Sequence, residues 1–258
     1  MWCYSEDTTK PVISASQQIT GCYGESSLQL PKTAVLFYMS SGVEYVNKTY
    51  ETIVLSEKFP RFLNACPIYQ IKGSSFCFLD GGRGAPQAVD TLETLAALGV
   101  RTVLTIGMFG AFDTRVDTGD IVVPNRVFVE EGTSLHYYEN IAYAEPDKTL
   151  FDLAAQKTKA KVYPLVSTDA VYRQTFFKEA MWRKQGAVGV DMETSALFNV
   201  GKYRNVRVAS ILMASDRHPM NEHEIQWEWK MTPEMRINLF KVALDVVFEI
   251  SGEWNHEL

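Results

Sequence analysis

Short apolar runs bounded by glycine or polar residues alternate along this chain with segments whose apolar residues recur every three or four positions. Ala34 to Met39, Phe76 to Leu79, Thr102 to Ile106, Ile121 to Val123, Val162 to Val166, Ala187 to Val190 and Val206 to Met213 are of the first kind, and each reads as a buried strand. Helical spacing lies between them. Val89, Leu92, Leu95 and Ala96 fall on one helical face, with Pro86 at its start and Gly99 just past its end. A helix is expected to begin near Val43, after a Ser40-Ser41-Gly42 turn. Others are expected over Phe176 to Gln185 and Asp191 to Tyr203. The last starts at Thr232 as N-cap with Pro233 after it, presents Ile237, Phe240, Leu244 and Val247, and is closed by Gly252. Residues 1–30 lack clear periodicity and read as an N-terminal arm or irregular cap. Strands alternating with helices over residues 31–258 predict a single α/β domain. Its central sheet is expected to be mixed, largely parallel and twisted, with helices on both faces.

Composition narrows the partners. The 258 residues are 46% hydrophobic and 22% charged, which suits one domain with a sizeable core. Net charge is −6 and no basic tract stands out, so no nucleic-acid partner is expected. No apolar run approaches the roughly 20 residues of a membrane span, so no membrane partner is expected. Met1 to Pro11 lacks a basic segment followed by an apolar one, and cytoplasmic residence is the expectation. Cys3, Cys22, Cys66 and Cys77 have no CxxC spacing and no suitable histidine pair beside them, which argues against a metal site. Of His136, His218, His223 and His256, the last three lie in polar segments expected to be exposed. No metal or organic cofactor is implied.

Candidate chemistry sits where two apolar runs end in acids. Gly189 to Leu197 reads Gly-Val-Asp-Met-Glu-Thr-Ser-Ala-Leu, a strand running into an acid-Met-acid triplet that opens a helix. Ala214-Ser215-Asp216 ends the next strand. Open α/β sheets place ligands at such rims. First-turn acids are also favoured by the helix dipole alone, and a strand-end Asp can be an ordinary loop or N-cap residue.

Further segments carry a family resemblance. Gly82-Arg83-Gly84-Ala85-Pro86, Ile106 to Ala111, Val116 to Val123, Gly132 to His136, and Ser167-Thr168-Asp169 with Tyr172 follow one another in order with the two acidic segments. From about residue 31 onward the chain resembles the nucleoside phosphorylase and nucleosidase superfamily, of the purine nucleoside phosphorylase and uridine phosphorylase type. The resemblance implies an enzyme that cleaves the N-glycosidic bond of a nucleoside. Phosphorolysis would use inorganic phosphate as co-substrate and give free base and sugar 1-phosphate. Hydrolysis with water is the alternative, and a non-catalytic nucleoside- or nucleotide-binding relative is a third. It also implies a homo-oligomer, from dimer to hexamer.

By that resemblance Glu193 and Asp216 are the catalytic candidates. Glu193 matches a glutamate that accepts from the ribose hydroxyls, Met192 a methionine against the sugar face, and Asp191 a position usually held by Glu. Asp216 matches the aspartate that protonates purine N7, a task requiring a raised pKa. Uridine phosphorylases instead hold uracil with a Gln and an Arg, whose positions fall near Thr175 and Phe177 here, so a purine is favoured. Val171 stands where a base-stacking Phe is usual, leaving Tyr172 or Phe109 as substitutes.

The phosphate site departs most from the family. Its Arg and its Ser or Thr correspond to Thr105 and Met108, on either side of Gly107, and its other Arg maps near Ser41 or Gly42. A dianion without guanidinium partners is poorly held. Ser40, Ser41, Gly42 and Arg83 are therefore the candidate lining of a phosphate or nucleophile pocket. Arg83 reads equally as a replacement cation and as a solvent-facing loop residue. Arg61 and Arg217 are weaker candidates.

Overall fold

Unbroken burial marks the central strands. Every residue of Thr33–Phe37 is buried, as expected of a strand covered on both faces. In the computed structural model, which describes residues 9–24, 28–224 and 227–252, the elements follow in this order: α1 (Ala15–Tyr23), β1 (Thr33–Phe37), α2 (Ser40–Thr49), β2 (Thr52–Ser56), β3 (Ile68–Ile71), β4 (Phe76–Asp80), α3 (Ala85–Ala97), β5 (Thr102–Ala111), β6 (Ile121–Val122), β7 (Val127–Glu130), β8 (Tyr143–Ala144), α4 (Lys148–Thr158), β9 (Leu165–Thr168), α5 (Phe176–Lys184), β10 (Gly189–Asp191), α6 (Thr194–Tyr203), β11 (Arg207–Arg217) and α7 (Pro233–Ile250).

The strands form one mixed sheet in the order β2-β3-β4-β1-β5-β10-β9-β7-β8, with β11 paired to β5 and β6 paired to β11. β1, β4, β5 and β11 run parallel, as do β7, β9 and β10. The two parallel groups meet where β10 pairs with β5 in the opposite direction. Alternation along β1 separates two cores. Ala34 and Leu36 face α3 and α6 through Ala88, Leu92, Ala196 and Leu197. Val35 and Phe37 face the other side, where Val46 of α2, Leu150 of α4 and Phe240 of α7 cover them. Helices on both faces of a mixed α/β sheet are what the sequence pattern predicts.

Several boundaries differ from the sequence reading. Ser40-Ser41-Gly42 is the first turn of α2, not a turn before it. Gly107 to Ala111 continue β5 instead of leaving it, because β11 pairs with the strand along its whole length. The predicted strand at 162–166 is shifted to Leu165–Thr168, and Asp191 closes β10, so α6 starts at Thr194. β11 runs on to Arg217, with an irregularity between Ala214 and Asp216. Ile237 is 40% exposed and lies off the buried face of α7, which uses Leu239, Ala243 and Val246 as well. In the expected arm, Ala15–Tyr23 is a helix. Ser14 and Gln17 cap each other reciprocally, and Ile19 is buried. Residues 1–8, 25–27 and 253–258, with Cys3 and His256, lie outside the described residues. No helix among the described residues is long and apolar enough to cross a membrane.

Candidate active site

The site arises from the way three strands share β5. β11 occupies one edge of β5 from Thr102 to Ala111. On the other edge β1 pairs only with Thr102–Ile106, and β10, arriving from the opposite direction, pairs only with Gly110 and Ala111. Gly107, Met108 and Phe109 are left between the two strand ends. Tyr38, just past β1, flanks this gap on one side. Asp191, Met192 and Glu193, at the end of β10, flank it on the other. Gly110 itself lies between Val190 on β10 and Asp216 on β11. The two acidic segments, which are distant in sequence, are thus brought to opposite edges of one strand.

Asp191 is buried at 6% exposure, and both its oxygens are engaged. One accepts the Ser167 hydroxyl, the other the Thr194 hydroxyl and the Thr194 backbone N–H at 3.2 Å. Asp191 therefore caps α6. Ser167 Oγ also accepts from Ser195 N at 2.9 Å, and Ser195 Oγ donates to the buried Glu131 at 2.9 Å. Glu193 is different. Its carboxylate accepts the Gly84 N–H at 2.7 Å, across 109 residues of sequence. Gly84, at φ +75°, adopts a conformation that side chains disfavour. Burial, then the charge of Asp191, pushes the Glu193 pKa up; burial likewise raises that of Asp191.

Tyr38 completes this side. Its ring packs where a Cβ on Gly81 would come within 2.6 Å, and its Cβ lies 3.3 Å from where one on Gly107 would be. The hydroxyl is buried and has no hydrogen-bond partner among the described residues. Burial, then Glu193 and Asp191, hold its pKa well above the ordinary tyrosine value.

Asp216, 4% exposed, is held the other way. It accepts the Ser215 hydroxyl, the Trp227 indole N–H at 2.5 Å and His218 Nε2 at 3.2 Å. His218 Nδ1 lies 2.6 Å from Glu179 of α5, itself buried. Burial alone would raise the Asp216 pKa and lower that of His218. The hydrogen bonds outweigh it: those from His218, Ser215 and Trp227 leave Asp216 lowered, and those to Asp216 and Glu179 push His218 up to about 9. The raised pKa expected of Asp216 as a general acid is not found, and the expected exposure of His218 is corrected. The imidazolium is sandwiched between two buried carboxylates.

The remaining candidates divide. Met192 is partly buried and Phe109 fully so, its ring against the Gly189 backbone. Tyr172 is 95% and Val171 46% exposed, so this chain alone does not bring either into the gap. Thr105 is buried and bonded to Ser210 Oγ at 2.5 Å, while Met108 is partly buried. Ser40 is exposed, Ser41 partly buried, and Gly42 is packed against the Phe37 ring with its N–H given to Met39 O. Arg83 pairs with Asp80 at 3.2 Å, half exposed. Arg61 is buried but spends its guanidinium on Asp80 O, Asn64 O and Thr91 Oγ1. Arg217 pairs with Asp117. No cluster of three metal-ligating side chains occurs among the described residues.

Sequence reasoning passed over Tyr38, Glu179, His218 and Trp227. One local signal existed for His218. It stands two residues after Asp216, so in an extended strand both side chains lie on one face.

Comparison with known proteins agrees with this architecture. The sequence pattern of the phosphorylase superfamily matches residues 58–244. A guanosine phosphorylase of Halorubrum lacusprofundi is 31% identical over 145 residues, 54% of this chain and 60% of that protein. A DeoD-type purine nucleoside phosphorylase of Clostridium beijerinckii is 25% identical over 188 residues, 70% of this chain and 78% of its own length. The uridine phosphorylase of Haemophilus influenzae is 27% identical over 192 residues, 67% and 76% of the two chains. With a family match across most of its length and the acids of its sheet gathered on either side of one strand, the chain belongs to the phosphorylase superfamily.

Proposed function

We propose that this chain cleaves the N-glycosidic bond of a purine nucleoside by phosphorolysis, giving free base and sugar 1-phosphate. The observation that carries the reading is the pairing of Gly110 with Val190 on one edge and Asp216 on the other, which sets the Glu193 segment and Asp216 on opposite edges of β5 at one level. As the bond breaks, positive charge grows on the sugar and electrons flow into the base. Glu193, fixed by Gly84, accepts from the ribose hydroxyls. Met192 packs against the sugar, and the Tyr38 hydroxyl supplies a neutral donor beside it. Asp216, with its hydrogen-bonded partners, meets the base. Asp191 holds the start of α6 so that Glu193 is placed. The purine preference is supported by Thr175, which caps α5, and by Phe177, 78% exposed; neither is equipped to clamp uracil. The names of the relatives support phosphate as nucleophile.

One observation favours a second reading, hydrolysis. Arg83 and Arg61 both have partners, and Thr105, at the position of the family's phosphate-site arginine, is tied to Ser210. Water needs only hydrogen-bonding partners.

The test is chromatography of a purine and pyrimidine nucleoside panel, each with and without phosphate. Purine release that requires phosphate establishes phosphorolysis. Release in both conditions, with free ribose, establishes hydrolysis. No release from any nucleoside overturns both and leaves a binding protein.

A further inference from the structure

Asp216 is the acid expected to protonate the departing base, yet its surroundings hold it ionised. A charged carboxylate has no proton to give. Of the three donors to Asp216, His218 alone carries a proton acidic enough to move; its two ring nitrogens face Asp216 at 3.2 Å and Glu179 at 2.6 Å. The three groups come from β11, the residue that follows it, and α5. Asp216 and Glu179 are each 4% exposed. Such an arrangement exceeds what packing asks of a histidine, because two carboxylates are withdrawn from water to hold one ring.

We propose that Glu179, His218 and Asp216 form a proton relay, in which the His218 imidazolium, held by Glu179, supplies through Asp216 the proton that the departing purine takes at N7. The relay rests on the purine reading above. The C1′–N9 bond breaks and its electron pair enters the base. His218 Nε2 passes its proton to the Asp216 carboxylate, and that carboxyl passes a proton to N7. His218 becomes neutral and keeps Nδ1–H donated to Glu179. The nucleophile, water or hydrogenphosphate, loses a proton when it bonds to C1′, and that proton returns to His218 through solvent. A route for it exists: an open cleft of about 410 Å³ reaches His218 and is lined by Asp117, Arg217, Glu224, Glu228 and Lys230. Arg183 stands behind Glu179 at 3.9 Å, on the side away from the ring bond. From β5, Gly110 faces the imidazole. A Cβ there would lie 2.5 Å from Nε2. Glu179 is a positioning residue, because it acts through His218.

The experiment compares guanosine with 7-methylguanosine, whose base already carries the positive charge and leaves without a proton at N7. kcat/KM is measured from pH 5.5 to 10 for the wild type, His218→Gln and Glu179→Gln. In the wild type, guanosine cleavage should fall as pH rises past about 9, where His218 loses its proton. His218→Gln should lose roughly 100-fold or more on guanosine at pH 7, the usual scale of general acid catalysis, and no more than about threefold on 7-methylguanosine. Glu179→Gln should move the basic limb for guanosine to lower pH and leave 7-methylguanosine unchanged. Equal losses on both substrates, or an unchanged guanosine profile in both variants, would overturn the relay while leaving the purine reading intact. No base release from either nucleoside by the wild type overturns that reading, and the relay with it.

Discussion

Asp191 and Glu193 stand on one flank of β5, Asp216 and Glu179 on the other. Asp191 and Asp216 are buried to nearly the same degree, 6% and 4% exposed. Their pKa values nevertheless move in opposite directions. On the first flank the acids meet hydroxyls, backbone N–H groups and each other, and burial prevails. On the second a histidine sits between two carboxylates, and its hydrogen bonds outweigh burial. The hydrogen-bond partners, set against burial, decide the direction in which each acid shifts. One flank is suited to holding neutral sugar hydroxyls, the other to managing a proton.

The comparison can be broken at either flank. The largest effect is expected from Glu193→Ala, which removes the carboxylate proposed to hold the ribose as charge develops on it. kcat/KM for guanosine should fall by ~10²-fold or more. An unchanged value would take Glu193 out of the ribose site. Asp216→Asn should lose about 10²-fold on guanosine and distinctly less on 7-methylguanosine; matched losses would argue that it serves only structure. Gly110→Ala keeps every polar group but sets a methyl 2.5 Å from His218 Nε2. Guanosine cleavage should drop roughly tenfold through displacement of the imidazole, with the circular dichroism spectrum retained. Wild-type activity in this variant would show that the His218–Asp216 contact is dispensable.

The smallest effect is on stability. His218 is raised in the folded state from an ordinary 6.5 to about 9. Its stabilisation is therefore fully present below pH 6.5 and lost as pH rises through 9. Tm should decline across that window, and Glu179→Gln should flatten the decline. A Tm curve of identical slope in the variant would mean that His218 titrates elsewhere.

Much of the fold was legible because its central strands are continuous apolar runs and α3 carries both its terminal signals. The edge strand β2 and its neighbour β3 escaped notice, since partly exposed residues such as Ile53 and Tyr69 blur the pattern. Gly107 and Gly110 read as loop residues, yet pairing with β11 keeps them in β5, and their lack of a side chain lets Tyr38 and His218 approach. Of the site, Glu193 and Asp216 were visible through family resemblance. The ionisation of Asp216 was not. Its lowered pKa depends on hydrogen bonds from His218, Ser215 and Trp227, and His218 is itself held by Glu179 across 39 residues of sequence. The absence of the family's arginine at Thr105 and of its Ser or Thr at Met108 was readable; that Tyr38 borders the vacated side was a tertiary fact.

The most direct test of the opposition between the two flanks is an NMR pH titration of the four histidine rings, with His218 assigned by its loss in His218→Gln. His218 should remain doubly protonated through neutral pH with a midpoint near 9, and in Asp216→Asn the midpoint should fall towards 6.5. A wild-type midpoint at or below 6.5 would contradict the account, because His218 would then hold little of the proton that the relay needs at neutral pH.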